Sequence, residues 1–215
     1  MCPQDLAQAT GLTVMAYDRA GHGSSTPIPS KPRPADWLHR EAVVLGRLID
    51  SVGAQSPTLV GHSDGGSIAA ILATTEVNIH SVVLLAAHSW VETMTVDAIV
   101  DMRRRVDVIV GRLTPFHNNA EAIFEAWSGV WVGGTFAPWD IRPMLKSLAA
   151  PTLVLQGARD EFASPEHAVS AAAAIGPNAA HQILPSLGHL LHHQAPELII
   201  EMIAEFVEDQ RSTPR

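Results

Sequence analysis

Short apolar runs alternate along this chain with longer segments whose apolar residues recur every three or four positions. Thr58-Leu59-Val60, Ser81 to Ala86 and Thr152 to Gln156 are short enough for strands, and the continuous apolar character of Ser81 to Ala86 suits a strand covered on both faces. Thr13 to Tyr17 and the shorter His181 to Leu184 are predicted as further strands. Between them, Leu38, Ala42, Leu45, Leu48, Ile49 and Val52 trace one face of a helix that Asp36 can cap. Gly66 to Ala73 and Ala168 to Ile175 read as two more helices, the second ended by Gly176-Pro177. Strand and helix in alternation predict an α/β fold built on a mostly parallel sheet with helices on both faces.

Two stretches break the alternation. Ser24 to Ala35 holds Pro27, Pro29, Pro32 and Pro34 and reads as a loop. From about Trp90 to Ser147 the pattern turns helical, with Ile99, Met102, Val106, Ile109 and Leu113 on one stripe. An insertion there, after the third visible strand, is expected to lie over the carboxyl ends of the strands as a lid. Trp90, Trp127, Trp131 and Trp139 fall within it. Either Trp90, Trp127 and Trp131 line an apolar substrate pocket, or the rings serve to pack the insertion. Gln210 to Arg215 is expected to be a frayed tail.

Composition narrows the class. At 215 residues, 47% hydrophobic and 17% charged, the chain can bury a sizeable core, and residues 1–215 are expected to form one domain. A formal net charge of -8 and a pI near 5.7 argue against nucleic-acid and anionic-membrane partners. Arg103-Arg104-Arg105, the one basic cluster, reads as a solvated helix face. A single cysteine, Cys2, excludes an intramolecular disulfide framework. With no basic start followed by an apolar core and no run of about 18 apolar residues, a cytoplasmic location is expected.

The candidate chemistry lies just past the strands. Gly61-His62-Ser63-Asp64-Gly65 puts a serine at a corner between strand and helix, where flanking glycines allow a close approach. Asp160 follows the Thr152 strand through Gly157-Ala158-Arg159, and His189 follows the His181 strand. A serine hydroxyl needs a neutral imidazole to take its proton, and the imidazole needs an acceptor on its other nitrogen, so Ser63, His189 and Asp160 make a nucleophile, a base and an orienting acid. The backbone N–H of Asp64, at the start of the following helix, is the expected oxyanion donor. Glu161 and Glu92 compete with Asp160 as the acid. His62 is expected to support the corner. His88 either faces the crevice or is a hydrogen-bonded loop residue. His189, His192 and His193 form H-x-x-H-H, but no third ligand or supporting shell for zinc is visible, and no metal is expected.

With these residues in place, the chain resembles the α/β-hydrolase family from about Gly11 to Val207, and its Ser, Asp, His order matches that family's triad. Val14 to Ser25, with Tyr17-Asp18-Arg19-Ala20-Gly21-His22-Gly23, resembles the family's fourth strand and glycine-rich loop. Gly188-His189 with Gln194-Ala195-Pro196-Glu197 resembles its histidine loop and last helix. The elbow Gly61 to Gly66 is most similar to bacterial esterase-like members. The resemblance implies a serine hydrolase without cofactor, acting through an acyl-enzyme on a small apolar carboxylic ester, thioester or lactone. A carbon-carbon hydrolase or a cofactor-free perhydrolase has the same triad, whereas a dehalogenase or epoxide hydrolase would carry aspartate at Ser63.

The resemblance also implies three strands before the Thr13 strand, the last followed by a loop carrying the second oxyanion N–H. Met1 to Gly11 contain neither a strand nor such a loop. These N-terminal strands are therefore expected to be missing, which leaves a slot between the Thr13 strand and the elbow strand. A fold relative that binds without turnover, or a fragment, is then the alternative. The chain is expected to be aggregation-prone and feebly active, with self-association through the incomplete sheet among the outcomes. An N-terminal extension of about 50 to 60 residues is expected to restore activity.

Overall fold

A computed structural model of the protein describes residues 1–27 and 33–212, in which four of the apolar runs form one parallel sheet. β1 (Thr58–His62), β2 (Ser81–Leu85), β3 (Thr152–Gly157) and β4 (Ala179–Leu184) lie side by side in chain order. Val60 stands beside Val83, Leu84 beside Val154 and Gln156 beside Ile183. All five residues of β2 are buried, as its unbroken apolar sequence requires. Successive side chains point to opposite faces. Val83, Leu85 and Leu155 join Leu6, Ile199, Ile203 and Val207 in one apolar cluster, while Val82, Leu84 and Val154 are buried on the other side.

The helices are α1 (Pro3–Thr10), α2 (Trp37–Ser51), α3 (Asp64–Ala73), α4 (Thr93–Arg103), α5 (Val106–Leu113), α6 (Ala120–Val132), α7 (Arg142–Leu145), α8 (Glu166–Ile175), α9 (Leu191–Gln194) and α10 (Pro196–Ser212). Two compact units emerge. Residues 1–15, 38–90 and 140–215 make the first, and residues 16–37 and 91–139 the second. In the first, α3 lies on β1 and β2, α8 on β3 and β4, and α1 packs on α10, which reaches β2. The α10 stripe of Ile199, Ile203 and Val207 recurs every fourth residue, one per turn, and this apolar face fixes the helix on the sheet. In the second, α4, α5 and α6 pack on one another, and the Asn119 side chain caps α6 by accepting from the Ala122 N–H. The N–H of Gly23 donates to His117 Nδ1 at 2.9 Å, which ties the 16–37 segment to that unit's helices.

Five expectations need correction. Thr13 to Tyr17 is not a strand; Leu12 and Val14 instead rest as partly buried side chains on the sheet's apolar cluster. A short apolar run without a neighbour to share its N–H and C=O groups has no reason to form a ladder. Among the described residues β1 is therefore the outer strand, the expected slot has no second wall, and the helical segment follows the second strand rather than the third. The stripe expected from Ile99 to Leu113 is broken between α4 and α5 at Arg104-Arg105, and no α5 residue is buried. Finally, Gln210 to Ser212 continue α10 rather than fraying; residues 213–215, like Pro29 and Pro32 of the proline-rich loop, lie outside the described residues.

Candidate active site

The corner between β1 and α3 is held under strain. Ser63 has φ 52° and ψ -125°, a region that side-chain-bearing residues rarely occupy and that costs roughly 1–3 kcal/mol. Its N–H donates to Leu85 O at 2.9 Å, and its own carbonyl accepts from Gly66 and Ser67 N–H at 2.9 and 3.1 Å. These bonds fix the backbone while the side chain stays partly exposed. A Cβ at Gly61 would collide with the Gly65 backbone, and one at Gly66 would meet Ala87 Cβ at 2.6 Å. At Gly65 a Cβ would meet nothing within 4 Å, so Gly66 rather than Gly65 carries the close approach expected on the helix side of the serine. The peptide N–H of Asp64 opens α3, at the positive end of its dipole.

The two other elements converge on Ser63. Its Oγ lies 3.0 Å from His189 Nε2, and His189 Nδ1 lies 2.8 Å from Asp160 Oδ2. Because the carboxylate can only accept, Nδ1 carries the proton and Nε2 turns its lone pair to the hydroxyl. Asp160 Oδ1 accepts from the Phe162 and Ala163 N–H groups at 2.7 and 3.0 Å, and Oδ2 also accepts from Gln156 Nε2 at 2.7 Å. Four donors therefore meet two oxygens. The His189 loop is pinned from three sides. The N–H of Arg159 donates to Leu187 O at 2.9 Å, the N–H of Gly188 to Gln194 Oε1 at 2.7 Å, and His62 Nε2 to His189 O at 2.9 Å. Gly157 is required here, since a Cβ would run into Leu187 O and Gly188 O.

Two residues of this network, Gln156 and Gln194, had no role assigned from the sequence, and His62, expected to support the corner, makes a longer link. Gln156 donates to Asp160, Gln194 fixes Gly188, and His62 joins β1 to the His189 backbone across 127 positions. A glutamine in an otherwise apolar strand end, four residues before the acid, was the available signal for Gln156. Its Oε1 is buried without a hydrogen-bond partner, a loss of about 1–3 kcal/mol in a core otherwise built for packing.

Burial alone would push the Asp160 carboxyl up, but the hydrogen bond and charge of His189, with the Phe162 and Ala163 N–H groups, hold it below the usual carboxylate range. The surrounding histidines move down. Burial takes His62 to about 3 and His192 to about 4, with neighbouring imidazoles adding to both, and burial beside His167 takes His88 well below the ordinary value. A histidine kept neutral in the fold but free to charge when unfolded stabilises fully above its unfolded pKa, near 6.5, and progressively less as pH falls toward its folded value. Stability should therefore drop between pH 6.5 and 4. His62 and His88 each add a slope of about 1.4 kcal/mol per pH unit there. Urea midpoints measured from pH 7.5 to 4.5 should hold to about pH 6.5 and fall below it, and a flat midpoint to pH 4.5 would contradict this burial of neutral imidazoles.

The remaining expected site residues are placed as follows. His88 is buried, its ring centroid 6.0 Å from that of His189 and 5.3 Å from that of His167, and its carbonyl accepts from Ser67 Oγ at 2.7 Å. Trp90 stacks on His167 at 3.8 Å, with Arg142 Cζ 4.3 Å over the ring. Its ring is thus packed against protein groups. Trp127 and Trp131 belong to the second unit: Trp127 is partly buried 6.2 Å from Phe124, and Trp131 is buried with its ring on Phe136. Of the three candidate acids, Asp160 is the one bonded to His189; Glu161 follows it beside Gly188, and Glu92 precedes α4. Among the described residues no group of three or more His, Cys, Asp or Glu side chains is arranged to hold a metal ion. No described helix is long and apolar enough to cross a membrane.

The four-stranded parallel sheet with its covering helices is that of an α/β hydrolase. A model of the alpha/beta hydrolase family matches residues 3–202, and the chain belongs to that family. The human serine hydrolase BPHL is 25% identical over 210 residues, covering 92% of this chain and 70% of that protein. An esterase from Exiguobacterium antarcticum superposes with a TM-score of 0.72 at 19% identity, covering 95% of this chain and 86% of that one. A proline iminopeptidase from Mycobacterium smegmatis superposes with a TM-score of 0.70 at 20% identity, covering 96% and 84%. At such identities the structural likeness shows the fold.

Proposed function

We propose that this hydrolase cleaves a small apolar carboxylic ester, thioester or lactone through an acyl-enzyme on Ser63. The observation that carries the reading is the unbroken relay from Ser63 Oγ through His189 to Asp160, at 3.0 and 2.8 Å. Oγ attacks the carbonyl carbon as its proton passes to His189 Nε2, and Asp160 stabilises the imidazolium. The developing oxyanion faces the Asp64 N–H at the head of α3. Collapse breaks the carbon–oxygen or carbon–sulfur bond, His189 returns its proton to the leaving group, and water repeats the sequence to free the acid. The names of BPHL, a serine hydrolase, and of the Exiguobacterium esterase support the class. A protein that only binds would have no use for a strained serine beside an oriented imidazole.

The test is a rapid-mixing experiment with p-nitrophenyl acetate and butyrate. A burst of nitrophenolate approaching one equivalent per chain, followed by slower turnover, is expected. No release above the buffer rate from these esters, a thioester or a lactone would favour the binding-only reading.

A further inference from the structure

Gln156, the penultimate residue of β3, is fully buried, and its side-chain contacts are one-sided. Nε2 donates to Asp160 Oδ2 at 2.7 Å and to Ala163 O at 3.0 Å, while Oε1 has no partner. Turning the amide over would set Oε1 against a carboxylate oxygen and a carbonyl oxygen, so the acceptors dictate its orientation. Leucine or methionine would fill the same space without stranding an oxygen. What a glutamine adds here is an N–H aimed at the oxygen that also receives the His189 proton.

We propose that Gln156 is a positioning residue of the hydrolytic relay, holding Asp160 Oδ2 in line with His189 Nδ1 and keeping the shared proton on the imidazole; this rests on the serine-hydrolase reading above. Oδ1 is fixed by two backbone N–H groups, but without Gln156 the other oxygen answers to His189 alone, which gains and loses a proton twice per turnover. A proton moving to Oδ2 would have to face the amide N–H, so the amide opposes that transfer. Because an amide does not titrate near neutrality, the effect persists across the working pH range. His62 from β1, His88 after β2, His192 from α9 and Glu161 beside Gly188 also surround His189, and all remain in the variants below.

Gln156→Met keeps the volume and removes the donor. Gln156→Glu keeps a donor only while its new carboxyl is protonated, a state that the adjacent Asp160 charge favours. With p-nitrophenyl butyrate, Gln156→Met should lose roughly 10- to 100-fold in kcat, the scale of a slightly displaced catalytic group, with KM little changed and Tm not lowered. Gln156→Glu should recover much of that loss at the acid end of the profile and fall to the methionine level or below as its carboxyl ionises. The ratio of the two kcat values should therefore decline with rising pH. Wild-type kcat in Gln156→Met, or two variants depressed by one constant factor at every pH, overturns the proposal and leaves the hydrolase reading standing. A wild-type chain that neither turns over esters nor reacts with a fluorophosphonate overturns the hydrolase reading, and the proposal with it.

Discussion

Ser63→Ala should abolish covalent labelling by a fluorophosphonate and lower ester turnover by on the order of 10⁴- to 10⁶-fold, the range seen when a triad nucleophile is removed. The substitution deletes one oxygen. Alanine at φ 52° keeps the unfavourable backbone that serine already tolerates, and the bonds holding the corner come from the main chain: Ser63 N–H to Leu85 O, and Gly66 and Ser67 N–H to Ser63 O. The fold should therefore survive with an unchanged melting curve. Serine is present throughout the chain, so the control matters. Labelling that persists in Ser63→Ala, mapped by peptide mass to another serine, would remove Ser63 from the role of nucleophile. Loss of labelling with undiminished ester hydrolysis would show that the measured turnover arises elsewhere.

The candidate site was legible because the residues that meet in it carry local signals in sequence. A serine between glycines after an apolar run, an aspartate past one strand and a histidine past another each carry a short-range signature, and parallel strands bring such positions to one edge. β2 and β3 appear within a residue of where their apolar runs end, since two-sided burial leaves no room for polar residues. The failures share one cause, which is dependence on a distant partner. Leu12 and Val14 are apolar enough for a strand, yet a strand needs a neighbour to bond to, and periodicity carries no word of that neighbour. The clasp from His62 to the His189 carbonyl, and the Gln194 side chain on the Gly188 N–H, likewise depend on where loops meet. α1 is a different case. Pro3 at its start, Asp5 accepting from the Cys2 N–H at 2.7 Å and Gly11 closing it at φ 66° were all readable, but one buried leucine in eight residues gives no amphipathic stripe. Only packing on α10 makes it a stable element.

Asp160→Asn should cost about 10³- to 10⁴-fold in kcat, although it exchanges one atom for another of equal size. Both carboxylate oxygens face donors: Oδ1 meets the Phe162 and Ala163 N–H groups, and Oδ2 meets Gln156 Nε2 and His189 Nδ1. An asparagine brings a single oxygen, and the two backbone donors cannot turn away, so the oxygen settles with them. Its NH₂ then occupies the place of Oδ2 and points at His189. There it is satisfied only if Nδ1 becomes an acceptor, which moves the ring proton to Nε2 and leaves no lone pair facing Ser63. The base is held in the wrong tautomer while its position hardly changes. His189→Ala removes the base outright and should fall by a similar or larger factor. Because both variants disable one unit, the double variant should lose little more than His189→Ala alone, whereas independent contributions would multiply. These comparisons need kcat with p-nitrophenyl butyrate, active-site counts by fluorophosphonate and a melting curve for each variant. Near wild-type turnover in Asp160→Asn with an intact fold would take the acid away from Asp160 and send the search to Glu161 or Glu92.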